Sequence, residues 1–510
     1  MKKLMLAALF ATGIYAGVEA APTDAVTQAD LKALIERIAK LEAENKAQAA
    51  KIQELERRDN AIAKKADEAS AKAVTAEKAV AVAKADDGKV KVDEGTEVSE
   101  SGKIFTTANG HKYYLADAAA GIFEPLTESG LKFQPYGYLV LEGIYNTHGT
   151  DMPMFTDYVR PKNAPNHGGK DHTATLSIAD SILGFNIFTP ETYAGWKFNG
   201  KFEFDLANGN INDWGTFHIR HLYWNMEHET GWSILFGQTW HLWKMVTPSE
   251  IDGAWMEFTG HPYRRSPQIR VTKKWEWEDS SLEARVGFVK GGPGMGGDRD
   301  GNGTEDNEQS AWGLFEGALV YDHKAPWEDG DRRWLLGVGG HYGRTNIHRE
   351  SAPGVFDGPD DDYNSSMIML AGSIPFAEKF TLCGQVFAGE NLGDVQGGVG
   401  HKIAFTDPTK KGREITTVGG FVDLNYALND TWSFAAGYGF DNPTVHAGED
   451  IYTRGWGGAT FNDRVYVDAF YQWNENLHFG LEYAYLTTDY VAPWDDNDSH
   501  RLQFSVYYDF

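Results

Sequence analysis

"RLQFSVYYDF", residues 501–510, alternates apolar and polar side chains with a period of two up to its last residue. One face carries only apolar or aromatic side chains: Leu502, Phe504, Val506, Tyr508 and Phe510. Arg501, Gln503 and Ser505 take the other face. Successive side chains of a β-strand point to opposite faces, so the stretch predicts a strand that separates an apolar from a polar environment.

Similar alternating runs fill the chain from about residue 134 onwards, and sixteen of them can be marked. One run alone, such as "WKFNGKFEFDL" (196–206), also fits a soluble antiparallel sheet. The gaps are more telling, because short turns such as "EDS" (278–280) alternate with long loops such as 146–172. An even strand count with short turns at one end is typical of outer-membrane barrels, whose closure removes the unpaired sheet edges. We therefore predict a transmembrane β-barrel of about 16 antiparallel strands over residues 132–510.

The N-terminus has the pattern of a secretory signal peptide. Lys2 and Lys3 precede an apolar run of about a dozen residues, which is too short to span a bilayer as a helix. We predict cleavage after Ala20, so that residues 1–20 are removed; an apolar core helix is the alternative. The later sequence contains no apolar run of helical membrane-spanning length. Export through a signal peptide places the barrel in the outer membrane of a Gram-negative envelope.

Residues 21–85 are rich in Ala, Lys and Glu, and they follow a heptad frame that starts at Leu31 and holds for about eight heptads. Such a frame predicts a periplasmic coiled coil, with a lone solvated helix as the alternative. Asn45 at an a position favours two strands, so the heptads leave the choice between dimer and trimer open. Residues 86–131 are polar and Gly-dotted, and we interpret them as a linker.

Charged residues on the barrel strands are predicted to face the lumen, because Arg or Lys at a lipid-facing midplane costs about 2–4 kcal/mol. In the strand 216–226, strict alternation places Arg220, Leu222 and Trp224 together on that face. The predicted pore-lining cations are Lys197, Lys201, Arg220, Arg265, Arg270, Lys274 and Arg285. Fixed cations at a narrow point select anions, so we predict a mild anion preference in spite of the formal net charge of −26.

The third long loop, residues 240–266, is rich in apolar and aromatic side chains that a solvated loop would not favour. We predict that it folds into the lumen and narrows it, since lumen-filling loops are a known feature of barrels. Its predicted constriction residues are Trp240, Trp243, Trp255 and Phe258. The alternative is that these side chains pack against a neighbouring subunit.

The sequence contains no hydrolase, zinc or nucleotide-binding motif, so we expect neither enzyme activity nor an organic cofactor. One loop, "DRDGNGTEDNEQ" (298–309), places four oxygen ligands at calcium-loop positions: Asp298, Asp300, Asn302 and Asp306. Gln309 replaces the bidentate Glu at position 12. An acidic, solvated barrel loop is therefore the alternative to a calcium site.

Three stretches resemble DcaP-like porins. "FHIRHLYWNMEHETGWSILFGQTWHLW" (217–243) and "YRRSPQIRVT" (263–272) are similar to the family's Arg-His-aromatic strand, its "GQTW" strand end and its "RQPQIR(Y/V)T" strand. "NDRVYVDAFYQWNENLHFGLEYAYL" (462–486), with the last strand, is similar to the family's C-terminal hairpin. Ser266 departs from the motif, which has Gln there, and the linker has no counterpart.

The resemblance implies a homotrimer of 16-stranded barrels with N-terminal periplasmic coiled coils. It also implies small organic anions such as dicarboxylates as solutes, and recognition of Phe510 by the outer-membrane assembly machinery. We therefore predict a porin, a passive channel for small hydrophilic solutes. The alternative is a structural anchor whose coiled coil links the barrel to peptidoglycan or another envelope component. A structural barrel should pair its interior charges, whereas a pore leaves some of them free to meet solute.

Overall fold

The computed structural model describes the backbone of 104–106 and 112–114, and then residues 132–165, 168–189, 193–207, 217–291, 313–325, 332–348, 360–407, 410–453 and 457–510. The predicted signal peptide, coiled coil and calcium loop lie outside these residues. Within the predicted linker the structure describes only a short hairpin, Ile104–Thr106 with Lys112–Tyr114.

Sixteen antiparallel strands form a closed barrel in the described part of the chain. In chain order they are β1 (Lys132–Asn146), β2 (in two pieces, Thr173–Ser177 and Ile182–Phe188), β3 (Trp196–Asp205), β4 (His218–His228), β5 (Trp232–Trp240), β6 (Arg265–Glu276), β7 (Ser280–Val289), β8 (Leu314–Lys324), β9 (Arg333–His348), β10 (Asp360–Ala377), β11 (Phe380–Glu390), β12 (Thr416–Ala427), β13 (Trp432–Pro443), β14 (Ala459–Gln472), β15 (Leu477–Tyr490) and β16 (Asn497–Asp509).

Closure is made by the last strand. β16 pairs with β1 from Arg501↔Asn146 to Asp509↔Tyr138. Both pieces of β2 pair with β1, so they count as one interrupted strand. The predicted strand count and antiparallel pairing are thereby confirmed.

The two faces of β16 differ in exposure as the alternation of its sequence predicts. Leu502 and Phe504 are about half exposed on the outer surface, at 50% and 48%. Arg501, Gln503 and Ser505 point inwards and are fully buried. The barrel thus carries an apolar outer surface and a polar interior, which is the arrangement that a lipid-spanning barrel requires.

A β-bulge between β3 and β4 corrects one face prediction. Glu203 pairs with His221 and Phe204 pairs with Ile219, which leaves Arg220 as an extra residue. Beyond the bulge the alternation is shifted by one residue. Leu222 and Trp224 therefore lie on the outer surface, 49% and 41% exposed, and do not share the inner face with Arg220.

A small sheet lies at the long-loop end of the barrel and consists of His401–Phe405, Arg413–Glu414 and Asp450–Thr453. Two single-turn 3-10 helices, Gly393–Val395 and Gly398–Gly400, precede it. Within the described residues, no helix is long and apolar enough to cross a membrane.

Candidate functional site: the inner loop and the wall that it faces

Residues 241–264, which connect β5 to β6 and are called the inner loop below, lie inside the barrel. Their backbone N–H groups donate to inward-facing carboxylates of distant strands. Leu242 donates to Glu316 of β8 (2.8 Å), and Ser249 donates to Asp423 of β12 (2.6 Å). Further along, Ile251 and Asp252 both donate to Glu482 of β15 (3.0 Å each). The loop therefore follows the inner wall around from β8 to β15.

Glycines on the wall make room for this close approach. A Cβ atom at Gly439 would overlap the carbonyl oxygen of Thr259, and one at Gly480 would lie 2.7 Å from Ile251 Cδ1. The loop in turn adopts a strained backbone, because three of its non-glycine residues have φ values of 46–59°: Trp255, Met256 and Phe258. Both features indicate that the loop is fitted to the wall.

Buried ion pairs hold the tip of the inner loop. Arg464 of β14 donates to Glu250 and to Asp252 Oδ2, the latter at 3.2 Å. Arg501 of β16 lies 3.2 Å from the same Asp252 oxygen. Glu250, Asp252 and Glu482 also place carboxylate oxygens within 4.8 Å of one another. Because two guanidinium groups already lie against these oxygens, we interpret the set as a salt-bridge network and not as a cation site.

The side of the inner loop that faces β3–β6 carries aromatic rings and cations. The Arg265 guanidinium lies 4.4 Å from the centroid of the Trp240 ring, and Lys244 Nζ lies 4.9 Å from the same ring. Arg220 lies 5.6 Å from the ring of Trp255. Tyr263 packs against both tryptophans at 5.7–5.9 Å. These six residues are called the cation–aromatic cluster below.

Lys244 is the loop's own contribution to this cluster. Burial, together with the nearby charges of Arg265 and Arg220, lowers the pKa of its ammonium group to about 8. Lys244 donates a hydrogen bond to Thr247, and no carboxylate among the described residues forms an ion pair with it. Its charge is therefore not offset by a described carboxylate, and it is sensitive to mildly alkaline pH.

Four of the seven cations predicted to line the pore are paired with carboxylates. Arg220 contacts Glu203 at 2.7 Å and Asp205 at 2.8 Å. The other three pairs are Lys201–Glu203 (3.2 Å), Arg285–Glu283 (2.5 Å) and Lys274–Glu276 (2.5 Å). Most of the charge on these four cations is offset locally.

Arg265 and Arg270 differ from these four, because neither forms an ion pair with any described carboxylate, and Arg265 Nη1 has no hydrogen-bond acceptor. Arg270 lies opposite the inward-facing Leu235 of β5 and Gly287 of β7, so it projects into the barrel below the cluster. Lys197 lies exposed on β3. The structure thus brings Arg220 and Arg265 together with Lys244, and it places Arg270, Lys274, Lys197, Lys201 and Arg285 along the same wall.

The four aromatic residues predicted to form the constriction fall into two pairs. Trp240 and Trp255 belong to the cation–aromatic cluster. Trp243 is fully buried and donates its indole N–H to Glu316 (3.0 Å), while Phe258 is buried against Val399. The second pair fastens the loop to the wall and does not border open space.

Sequence reasoning did not select Lys244, Tyr263 or the anchoring residue Arg464. A lysine in the middle of an apolar loop is the one signal that could have identified Lys244. Nothing local distinguishes Arg464 from other strand cations, since its partners lie more than two hundred residues earlier.

The sequence matches no family model and no curated protein. Among solved structures, the outer membrane channel DcaP of Acinetobacter baumannii matches with a TM-score of 0.58 at 16% identity, over 75% of this chain and 98% of that chain. The chain has the fold of an outer-membrane channel. The resemblance to DcaP-like porins is thus confirmed in the fold, a closed 16-stranded barrel.

Two further porins match less closely. An anion-selective porin from Comamonas acidovorans has a TM-score of 0.46 at 10% identity, over 74% of this chain and all of that chain. OmpF of Salmonella typhi, solved in complex with daunomycin, has a TM-score of 0.44 at 13% identity, over 75% of this chain and 99% of that chain.

Proposed function

We propose that the protein is an outer-membrane porin that lets small hydrophilic solutes diffuse passively and favours small organic anions such as dicarboxylates. The fold of an outer-membrane channel supports the general role. The observation that carries the preference for anions is that Arg265, Arg270 and Lys244 lie at the inner loop without a carboxylate partner among the described residues.

The cation–aromatic cluster fits this solute class. Guanidinium groups bind carboxylates through two parallel N–H donors, and Lys244 adds a third donor group. The indole rings of Trp240 and Trp255 hold the cations in place and offer flat apolar surfaces to a carbon skeleton. The formal net charge of −26 opposes anion entry only weakly, because charges in wide outer loops are screened within about 8 Å at physiological salt.

The alternative, a structural anchor, has support on the opposite side of the barrel. There the interior is filled by the inner loop, and Arg464 and Arg501 are ion-paired with loop carboxylates. Recording single channels in a planar lipid bilayer separates the two functions. We expect discrete conductance steps from the purified protein; a bilayer that stays silent while folded barrels are inserted would favour the anchor.

The remaining parts of the proposal rest on the sequence: a cleaved signal peptide, a periplasmic coiled coil and a homotrimer. The calcium loop and the recognition of Phe510 by the assembly machinery also remain predictions. The mass of the detergent-purified protein tests the trimer. A monomeric mass for the intact chain would contradict the proposal, and deletion of residues 21–100 shows how much the coiled coil contributes to assembly.

A further inference from the structure

The wall behind the inner loop carries more buried carboxylates than cations. Asp423 (β12), Asp468 (β14), Glu482 (β15) and Glu142 (β1) point into the barrel and are almost completely buried. The loop adds Glu250 and Asp252 to this group. The arginines that form ion pairs within it are Arg464 and Arg501. Negative charge therefore exceeds positive charge where water is excluded.

Asp468 is the member of this group whose carboxyl group has the fewest hydrogen-bond donors or cations next to it. Its side chain is only 4% exposed, and neither carboxylate oxygen accepts a hydrogen bond from the described residues. The nearby backbone N–H of Ile251 donates to Glu482 instead. Glu482 lies directly opposite Asp468 in the β14–β15 register, so two carboxyl groups meet across adjacent strands.

Such a pair cannot keep both charges. An ionised carboxylate that is removed from water and receives no hydrogen bond is strongly unfavourable, and a second carboxylate opposite adds repulsion. One proton on the Asp468 carboxyl group removes both penalties, because Glu482 keeps the hydrogen bonds of Ile251 and Asp252. The docked position of the inner loop, which covers the pair, depends on that proton.

We propose that the carboxyl groups behind the inner loop form a proton-operated latch, which keeps the loop docked when protonated and releases it as the pH rises. The regulatory meaning of the latch rests on the proposed channel function, but the latch itself is a property of the loop and the wall.

Glu250, at the tip of the loop, shows the direction of the effect. Burial, reinforced by Glu482 and Asp252, raises the pKa of Glu250 to about 8 despite its contact with Arg464. A released loop would return Glu250 to water and to its ordinary, acidic pKa. At low pH Glu250 is protonated in both states, so its titration does not reduce the stability of the docked loop. The docked loop loses stability as the pH rises through the range between the two pKa values, and above about 8 the loss is complete.

The other charged groups that face Glu250 come from several strands. Arg464 of β14 contacts Glu250 and favours its ionised form, whereas Arg501 of β16 contacts the neighbouring Asp252. The groups that disfavour it are Glu482, Asp252 and Asp468. Tyr466 of β14 adds a buried phenol between Asp423 and Glu250. The groups around Glu250 carry more negative than positive charge, which agrees with release of the loop when Glu250 loses its proton.

Backbone strain gives an independent reason for release. The three non-glycine residues with positive φ, Trp255, Met256 and Phe258, follow directly after the anchored carboxylates. Such conformations persist only while surrounding contacts impose them. When the latch weakens, relief of this strain favours departure of the loop from the wall.

Cys383, the single cysteine of the chain, is a native reporter of loop docking. It points inwards from β11, is 7% exposed, and its thiol lies 3.7 Å from the carbonyl oxygen of Thr247 in the inner loop. The rate at which iodoacetamide, a small neutral reagent, alkylates Cys383 in the folded protein therefore measures departure of the loop. The alkylation rate can be measured whether or not the barrel conducts ions. A result that contradicts the latch is therefore distinct from a result that contradicts the channel function.

The experiment compares wild type with Glu250→Gln, which mimics the protonated carboxyl group and keeps a side-chain oxygen for the donors Arg464 and Met256, at about pH 6 and about pH 9. Comparison at one pH cancels the ionisation of the thiol itself. We expect a small difference in rate at the lower pH and, at the higher pH, several-fold slower alkylation in Glu250→Gln than in wild type. Glu278→Gln changes the same residue type in an exposed turn and should label like wild type.

Equal rates for wild type and Glu250→Gln at the higher pH would overturn the proposal. If Glu250→Gln does not fold, Glu482→Gln replaces it, because a glutamine side-chain oxygen can still accept the hydrogen bonds of Ile251 and Asp252. The same slowing is expected for that variant, and a rate equal to that of wild type would again contradict the latch.

Discussion

The two sides of the barrel interior treat charge in opposite ways. On the side of β12 to β16, carboxylates outnumber cations, water is excluded, and the inner loop is bound through Arg464 and Arg501. On the side of β3 to β7, cations outnumber their nearest carboxylates, and several of them are partly exposed to solvent.

The difference shows how one loop can serve two purposes. On one side, the backbone N–H groups of Ile251 and Asp252 bind Glu482, and buried ion pairs hold the tip of the loop against β14 to β16. Its opposite edge presents Lys244 and Trp255 to the cationic wall. The acidic side attaches the loop, whereas the cationic side carries Arg265, Arg270 and Lys244, which have no carboxylate partner among the described residues.

Removing the inner loop should abolish the contrast between the two sides. Deletion of residues 246–258 takes away the loop tip that crosses the lumen, together with Glu250 and Asp252. We expect single-channel conductance to rise several-fold, because the lumen is then limited by the barrel wall. Unchanged conductance in a correctly folded deletion variant would show that the loop does not set the narrowest point.

Breaking the anchor should have the next largest effect. Arg464→Met removes the guanidinium that contacts Glu250 and Asp252 and leaves both carboxylates buried. Loss of one partner of a buried ion pair typically costs about 3–5 kcal/mol, so we expect a fall of that size in the free energy of unfolding. Urea titration in detergent or lipid measures it.

The exposed pair Arg333–Asp322 provides the matched control for this substitution. Arg333→Met should change the free energy of unfolding by no more than about 1 kcal/mol, since the solvent already screens that pair. Equal losses in the two variants would mean that the network around Arg464 is no more important than a surface contact.

Deprotonation of Lys244 should produce the smallest effect, a change in the anion preference of the channel. With a pKa of about 8, the ammonium group loses its charge as the pH rises through that value, so anion preference should decline over that range. Lys244→Met should have the weaker preference at every pH. Lys244→Arg keeps its charge and should show a smaller decline than wild type; a decline equal to that of wild type would assign the titration to another group.

How much of this the sequence reveals depends on the kind of interaction. Period-two alternation predicts the faces of β16 correctly, because every residue from Arg501 to Ser505 obeys it. The same rule is wrong for Leu222 and Trp224, because a bulge inserts one residue and nothing in the alternation marks it. Face predictions from period two therefore hold only as far as the next bulge.

The sequence does not show which cations form ion pairs with carboxylates of other strands. Arg220 and Arg265 look alike in the sequence, yet one is neutralised by Glu203 and Asp205 and the other is not. The difference depends on which inward-facing residues adjacent strands bring together. The roles of Trp243 and Phe258 likewise depend on the path of the loop, which distant carboxylates such as Glu316 determine.

The reversal potential in a potassium chloride gradient tests the central claim most directly. We expect anion preference in wild type and a shift towards zero in the double variant Arg265→Ala plus Arg270→Ala, because neither arginine forms an ion pair with a described carboxylate. Lys273→Ala removes a lysine from the outer face of β6, where it lies against Trp232 and Trp275, and should leave the potential unchanged. Cation preference in wild type, or no shift in the double variant, would contradict the account.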